Sequence, residues 1–160
     1  MDRPDLNWRD LQYLSIQTAV PISLDDPDWK KTYTGRMYST RYGYGRIDAY
    51  AVVTAARTFK SVNPQVWFQS QAQAVETDIP NGPEGISSSI SISSDNVKSI
   101  GMKRLEHVQA MVSISHKQRG DIEMVLESPN GIRSQLITSR PRDYSTDGFK
   151  NWTLMSVMHW

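Results

Sequence analysis

The hydrophobic period of this chain changes near its middle, and that change limits which folds the chain can adopt. Ahead of the change, four small apolar residues recur at helical spacing: Ala49, Val52, Val53 and Ala56. After it, four apolar residues occupy every second position: Val108, Ala110, Val112 and Ile114. A helical period favours an amphipathic helix, whereas a period of two favours a strand with one buried face. We therefore predict a helical segment followed by a β-sandwich.

Two helices are predicted in the first part of the chain. Asn7 is a suitable N-cap for the first helix, and Asp10 stands at the third helical position, where it completes a capping box. Asp48 is a suitable N-cap for the second helix. Between them, the proline and clustered carboxylates of residues 25–38 oppose regular structure, so an irregular surface loop is predicted there.

Further strands and turns are predicted in the second part of the chain. Apolar residues alternate with other residues at two more places: around Ile90 and Ile92, and at Ile122, Met124 and Leu126. Residues 117–120 lie between two alternating runs and are predicted to form a hairpin loop. Asn130-Gly131 offers the positive φ angles that a type I′ turn requires.

A shift in composition separates the two parts. Residues 63–85 are rich in Gln, Pro, Gly, Asn and Ser, and residues 81–85 form a strong breaker of regular structure. This shift predicts a domain boundary, with one domain in residues 1–62 and a second in residues 63–160.

Composition and charge exclude several classes of function. The 18 basic and 17 acidic residues give a net charge of +1, so no long-range field favours nucleic acid. The chain has no cysteine, which excludes disulfides, a thiolate nucleophile and cysteine-ligated zinc. Its apolar runs are too short to span a bilayer. We therefore predict no nucleic-acid partner and no membrane segment in this chain.

The order of several motifs resembles that of the kexin/furin-type proprotein convertases. Residues 6–12 and 42–49 resemble the end of that family's subtilisin-like catalytic domain. Residues 105–160 resemble its P domain and contain five motifs: Leu105-Glu106-His107, Arg119-Gly120-Asp121, Ser128-Pro129-Asn130-Gly131, Arg140-Pro141-Arg142-Asp143-Tyr144 and Gly148-Phe149. Animal members often carry cysteines where the P domain begins, and this chain has none, so a fungal kexin is the closer comparison.

This resemblance implies a fold, an activity and a location. The implied fold class is mixed: the helical tail of a subtilisin-like α/β domain in residues 1–62, then an incomplete antiparallel β-sandwich, the jelly-roll P domain, in residues 63–160. The implied parent protein is a calcium-dependent serine endopeptidase that cleaves precursor proteins after paired basic residues. Its partners are the remainder of the catalytic domain and those precursors. The family works in the secretory pathway, and its kexins in the late Golgi membrane.

The resemblance places no catalytic residue in this chain, and it implies that the family's catalytic triad lies upstream of Met1. The family's nucleophile lies in a Gly-Thr-Ser-Ala segment ahead of the helix that resembles residues 8–18, and no serine here follows a Gly-Thr pair. Neither cofactor-binding nor metal-binding residues are assigned, and calcium belongs to the parent protein. We therefore expect the chain to be inactive alone.

The resemblance also implies that the chain lacks the last strands of its sandwich. The final strand-like run would then have no partner on one side, which leaves open backbone donors and acceptors. We expect this to expose an apolar edge made of four residues: Trp152, Leu154, Met155 and Val157.

Other candidate residues favour structural roles. His107 and His116 flank one strand on opposite faces, which opposes a shared metal or proton relay, and His159 is expected to pack at a sheet edge or domain contact. The tripeptide at residues 119–121 is expected to be a turn with solvated flanks rather than an integrin ligand. The three aspartates of residues 25–28 favour a solvated loop over a cation site.

Asn151-Trp152-Thr153 is an N-glycosylation sequon, so Asn151 is a possible glycosylation site. The competing interpretation buries Asn151 against the loop at residues 140–142. A second function also stays open, in which the chain is a non-catalytic β-sandwich that binds another protein.

Overall fold

The computed structural model describes residues 3–158 and Trp160, and these residues separate into two units. The first, here called the core unit, contains the described parts of residues 1–62 and 105–160. The second, the connecting unit, contains residues 63–104. Among the described residues, no helix combines the length and apolar character that crossing a membrane requires.

Helix α1 spans Trp8–Thr18, and its capping box is confirmed. The Asn7 side-chain oxygen accepts the N–H groups of Arg9 at 2.8 Å and Asp10 at 3.1 Å. In return, the Asp10 carboxylate accepts the Asn7 N–H at 3.0 Å. These bonds satisfy donors that the first helical turn leaves without an intrahelical partner.

Helix α2 spans Ala49–Ala56 and begins at the predicted cap. The Asp48 carboxylate accepts the Ala51 N–H at 2.9 Å. α2 contacts α1, but none of its described residues is buried, and Val53 and Tyr50 are exposed. Of the apolar face predicted from the sequence, Val52 and Ala56 are half-buried, whereas Ala49 and Val53 are exposed.

The acidic segment is more ordered than the sequence predicts. Two short strands, β1 at Lys30–Lys31 and β2 at Met37–Tyr38, form an antiparallel pair within it. Thr32 and Ser39 are buried beside this pair. The prediction of a wholly irregular loop over residues 25–38 was therefore wrong.

A close approach of two backbone segments follows β2. Gly45 has a φ of +123°, and a Cβ at this position would meet the Val20 carbonyl oxygen. Only glycine fits such a position without displacing the neighbouring chain.

Strand β3 spans Val108–Ile114, as predicted, but its partner is not the next strand along the chain. A 3₁₀ turn at Arg119–Asp121 follows it, then β4 at Met124–Glu127, β5 at Arg133–Ile137 and β6 at Phe149–Ser156. β3 pairs antiparallel with β6, and β4 pairs antiparallel with β5. The predicted hairpin at residues 117–120 was therefore wrong.

The turn between β4 and β5 also differs from its prediction. Gly131 has a φ of +76°, but Asn130 is not among the described non-glycine residues with positive φ. The Gly131 N–H donates to the Ser128 carbonyl at 2.9 Å, and the Ser128 N–H donates to the Ile132 carbonyl at 2.9 Å. A type I′ turn needs positive φ at both central residues, so that assignment was wrong.

The two strand pairs share an apolar core. Ile122, Ile137 and Phe149 are its buried centre. Partly buried residues from the strands surround them: Val112, Ile114, Met124, Leu136 and Leu154. Along β3 the residues alternate between half-buried and exposed, so one face of the β3–β6 pair lies inside and the other in solvent. The mixed helix-and-strand class with antiparallel pairing is thus confirmed.

The connecting unit, which the structure describes throughout, contains one helix and no strand. Helix α3 spans Ser94–Ser99, and the Ser93 hydroxyl accepts the Asn96 N–H at 3.2 Å. Ile90 and Ile92 lie in irregular, exposed chain ahead of it. The strand predicted there was wrong, because alternation stabilises a strand only where its apolar face is buried.

Candidate functional site

An ion pair joins the first helix to the segment that leads into β3. The Arg9 guanidinium donates to both carboxylate oxygens of Glu106, from Nε at 3.0 Å and from Nη2 at 2.5 Å. The Tyr13 hydroxyl donates to the same carboxylate at 2.9 Å. Arg9 and Tyr13 are four residues apart on α1 and therefore lie on one helix face. The side chains of Arg9 and Glu106 are only 10% and 12% exposed.

The electrostatics of this pair follow from its bidentate geometry. The hydrogen bonds from Arg9 hold the pKa of Glu106 below its usual range, against the opposing effect of burial. Hydrogen bonding to Glu106 raises the pKa of Arg9 in turn. Both groups are therefore charged at neutral pH, and each neutralises the other in a poorly hydrated position.

Trp160 packs against the same helix. It is 1% exposed, with its ring centroid 4.9 Å from that of Tyr13 and 5.2 Å from that of His107. Both ring pairs have edge-to-face geometry, which is favourable for aromatic contacts. The Thr34 hydroxyl donates to the Trp160 carbonyl at 3.1 Å. We call Arg9, Tyr13, Glu106, His107 and Trp160 the junction cluster.

Two further hydrogen bonds stabilise this arrangement. One lies within residues 1–62, and the other joins those residues to the chain after β6. Asp10 is fully buried, and its carboxylate accepts the Val62 N–H at 2.8 Å. Burial alone would raise the pKa of Asp10, but the N–H groups of Asn7 and Val62 lower it below its usual range. The Tyr44 hydroxyl donates to the Val157 carbonyl at 2.9 Å. The helical segment and residues 105–160 are thus bonded at several separate points.

The histidines of the described chain do not form a site. His107 Nε2 lies 3.4 Å from the Gln12 side-chain nitrogen, whereas His116 Nδ1 lies 2.6 Å from the Gln118 carbonyl oxygen. Within the part of the chain that the structure describes, no three histidine or carboxylate side chains converge on a possible metal position.

Two of the sequence predictions fall on residues outside the described ones. His159 is one of them, so its packing at a sheet edge or domain contact stays a prediction. The other concerns Met1: the family's catalytic triad was predicted to lie upstream of it, and this stays a prediction.

The aspartates of the acidic segment bind protein donors. Asp28 accepts hydrogen bonds from the Ser39 hydroxyl at 2.7 Å and from the Thr40 hydroxyl at 2.8 Å. These bonds lower the pKa of Asp28 to about 2. Asp26 pairs with Arg41 at 2.9 Å. Their oxygens therefore stabilise the turn at residues 39–43.

The Arg119-Gly120-Asp121 tripeptide is held within the fold. Arg119 donates to the Asp143 carboxylate at 2.8 and 3.0 Å, and its guanidinium lies 5.7 Å from the Trp152 ring centroid. Gly120 is buried, and a Cβ at this position would meet the Asp143 carbonyl oxygen at 2.6 Å. The sequence predicted that Arg119 is a solvated flank of the turn, and this was wrong because Arg119 is held in an ion pair. The tripeptide is not displayed on a flexible loop.

Asp143 gives the core unit an acid-sensitive ion pair. Hydrogen bonding from Arg119 lowers the pKa of Asp143 to about 2. Because the folded-state pKa lies below the usual value of 3.8, the stabilisation is complete above about pH 4 and is lost as the pH falls through about 2. We expect Asp143→Asn to lower the urea midpoint at pH 7 and to remove this part of the acid dependence between about pH 4 and 2.

The exposed pair of Asp147 with Lys150 provides the control for that experiment. Asp147→Asn should leave the urea midpoint at pH 7 nearly unchanged, because exposed pairs contribute little. Equal losses for the two variants at pH 7 would contradict the role given to Asp143.

The structure places Asn151 in β6 with an exposed side chain. The burial of Asn151 against residues 140–142, which was the competing interpretation, does not occur. The expected apolar edge is found in part, since Trp152 and Met155 are exposed while Leu154 and Val157 are half-buried.

Both the second part of the chain and nearly its whole length match known proteins. Residues 105–160 match the family described as the proprotein convertase P-domain. Protease KEX1 of Kluyveromyces lactis is 43% identical over 157 residues, covering 98% of this chain and 21% of that protein. Kexin of Saccharomyces cerevisiae is 43% identical over 158 residues, and human furin 38% over 160 residues. Each of these two alignments covers 98% of this chain and 19% of the relative.

A solved structure gives a similar result for the fold. The crystal structure of a serine protease of Aeromonas sobria superimposes with a TM-score of 0.73 at 21% identity. The match covers 98% of this chain and 31% of that protease. At this identity the likeness concerns the fold alone. The chain spans about a fifth of the length of the curated relatives it matches.

Proposed function

The chain belongs to the kexin/furin-type proprotein convertases, and on that basis we propose that it is one portion of a calcium-dependent serine endopeptidase. In this proposal, residues 1–62 are the end of the subtilisin-like catalytic domain and residues 63–160 belong to the P domain. The pairs β3–β6 and β4–β5 are then part of a jelly-roll sandwich that further strands of the whole protein complete.

The junction cluster is the observation that carries this proposal. A P domain that braces a catalytic domain needs a contact that resists separation of the two segments. The Arg9–Glu106 ion pair is bidentate and shielded from solvent, and the buried Trp160 lies beside it. This contact resists separation of the two segments, because losing either partner of the ion pair leaves the other charge uncompensated. The catalytic serine, histidine and aspartate are proposed to lie elsewhere in the whole protein, so this chain positions the catalytic domain and does not itself cleave.

The substrates and location follow from the family rather than from residues of this chain. The whole protein is proposed to cleave precursor proteins after paired basic residues in the secretory pathway, as a late Golgi membrane enzyme. Calcium is proposed to bind to the rest of the catalytic domain, because no ligand set is assigned in this chain.

A chimera tests this proposal. The residues of Saccharomyces cerevisiae kexin that align with this chain are replaced by it, and hydrolysis of a fluorogenic Lys-Arg peptide is measured with and without a calcium chelator. We expect the chimera to retain activity within about tenfold of the parent, or about 1.4 kcal/mol in transition-state free energy, and to lose it with the chelator. The purified chain alone is expected to be inactive.

Two variants of the chimera distinguish a loss of bracing from a general loss of activity caused by substitution. Arg9→Met should reduce activity strongly, whereas Arg133→Met, which removes an exposed cation that pairs with Glu127, should not. Cleavage by the chain alone would refute the proposal that the catalytic residues lie elsewhere in the whole protein. Full activity of the Arg9→Met chimera would refute the bracing role.

The exposed apolar residues of β6 favour a second candidate. Trp152 and Met155 are both about half exposed, and such residues are enriched at protein interfaces. In that case the chain would be a non-catalytic interaction module. It would then fold and bind a protein partner while the chimera stayed inactive.

A further inference from the structure

The register of the β3–β6 pair shifts at a β-bulge that contains Asn151. Ile114 pairs with Phe149 and Val112 pairs with Trp152, so two residues of β6, Lys150 and Asn151, lie opposite the single residue Ser113. Asn151 has a φ of +49°, in the left-handed region that asparagine adopts more readily than most residues. Bulges of this kind change the direction in which a side chain points and interrupt the hydrogen bonding between the two strands.

The Asn151 side chain is exposed and is bonded through its oxygen. The Asn151 carbonyl oxygen Oδ1 accepts the Ser113 hydroxyl at 3.1 Å, and the Asn151 backbone N–H donates to the same hydroxyl oxygen at 3.1 Å. Among the described residues, none accepts a hydrogen bond from Asn151 Nδ2. The amide oxygen is therefore held by Ser113, while the nitrogen belongs to an exposed side chain and has no acceptor among the described residues.

The third residue of the sequon is also accessible. Thr153 is exposed and lies two residues along β6, opposite Met111. Met111 is itself exposed, and residues that face each other across a strand pair lie on the same face. Thr153 therefore lies on the outer face of the β3–β6 pair. Asn151-Trp152-Thr153 is the only Asn-x-Ser/Thr sequence in the chain.

We propose that Asn151 carries an N-linked glycan that covers the outer face of the β3–β6 pair. The donor is a lipid-diphosphate-linked oligosaccharide. Asn151 Nδ2 forms a bond to the anomeric carbon of the first sugar as the bond from that carbon to the diphosphate oxygen breaks. The diphosphate leaves with the bonding electrons, and the amide nitrogen loses one proton to a base. The inference rests on the proposed function only in requiring that the protein enter the secretory pathway.

The position of the glycan decides which face of the pair stays free. Met111 and Met155 are 64% and 55% exposed on this outer face and would otherwise be apolar surface in contact with water. A glycan at Asn151 would cover them and exclude a protein partner. The outer face therefore points to solvent in the whole protein, and other protein segments pack elsewhere.

Translation with microsomes tests this modification directly. The full chain is fused behind a cleavable signal peptide and translated with endoplasmic reticulum microsomes, and only the fraction protected from added protease is analysed. We expect one glycan-sized mass increase that a peptide N-glycosidase removes. Asn151→Gln and Thr153→Ala should each abolish it. The matched change Lys150→Gln, which alters the neighbouring bulge residue and leaves the sequon intact, should retain it.

A second sequon provides the control, because it shows whether the microsomes can transfer a glycan to this chain. Pro83→Ser converts Asn81-Gly82-Pro83 into an acceptor sequence in an exposed part of the connecting unit. A protected wild-type chain without glycan, beside a Pro83→Ser chain that gains one, would overturn the proposal. Because the signal peptide enforces entry, this result is independent of the peptidase activity of the chimera. An inactive chimera with a glycosylated Asn151 would refute the proposed function alone.

Discussion

Replacing Arg9 with methionine is expected to lower the free energy of unfolding of the chain by about 3 kcal/mol at pH 7. The substitution keeps an apolar stem in place but leaves the Glu106 carboxylate, which is 12% exposed, without its cation. Small domains are stable by only about 5–15 kcal/mol, so a loss of this size is large. Urea unfolding followed by tryptophan fluorescence provides the measurement.

The exposed pair of Arg133 with Glu127 is the matched control. Its nitrogen and oxygen are 3.2 Å apart, but the two side chains are 66% and 52% exposed. Arg133→Met should therefore change the free energy of unfolding by less than about 0.5 kcal/mol. The double variant Arg9→Met/Glu106→Gln should be more stable than Arg9→Met alone, because it no longer has an unpaired carboxylate.

The effect of Arg9→Met should also depend on pH. In the wild type, the pKa of Glu106 is lowered, so the ion pair stabilises the fold above the unfolded pKa of about 4.3 and does so less as the pH falls further. The difference between wild type and Arg9→Met should therefore shrink below about pH 4. A difference that stays constant from neutral pH to well below the unfolded pKa would contradict the electrostatic origin of the effect.

The features that sequence analysis predicted correctly are those that neighbouring residues determine. The Asn7 capping box needs only the residue three positions later, and the Asp48 cap needs only the start of α2. Strand β3 follows from alternation within its own seven residues. In each case the sequence pattern and the structural element that it predicts lie in the same short stretch of chain.

The features that it missed depend on residues far apart in sequence. Strand β3 was assigned to a hairpin with the next strand because sequential strands often pair, but β6, the last strand of the described chain, takes that position. Arg9 and Glu106 are 97 residues apart, and neither lies in a pattern that marks it as paired. The Arg119 ion pair with Asp143 was missed for the same reason, since 24 residues separate them.

Replacing Trp160 with alanine should have the largest effect of the single changes, a loss of about 4 kcal/mol in the free energy of unfolding. The side chain is almost completely buried between Tyr13 and His107, so its removal creates a cavity in the junction cluster. Its indole N–H has no hydrogen-bond partner among the described residues. Trp160→Phe should therefore lose much less, about 1 kcal/mol, because it keeps a ring and removes the unsatisfied donor.

Trp67, which is 64% exposed in the connecting unit, supplies the control for this change. Trp67→Ala should alter the free energy of unfolding by less than about 0.5 kcal/mol, measured in the same urea titrations. If Trp160→Ala matched Trp67→Ala, the aromatic packing at the junction cluster would contribute nothing measurable. The Arg9–Glu106 pair would then be the main attachment between α1 and the segment before β3. A large loss for Trp160→Ala with a small one for Arg9→Met would instead make apolar burial the dominant attachment, with the ion pair fixing only its orientation.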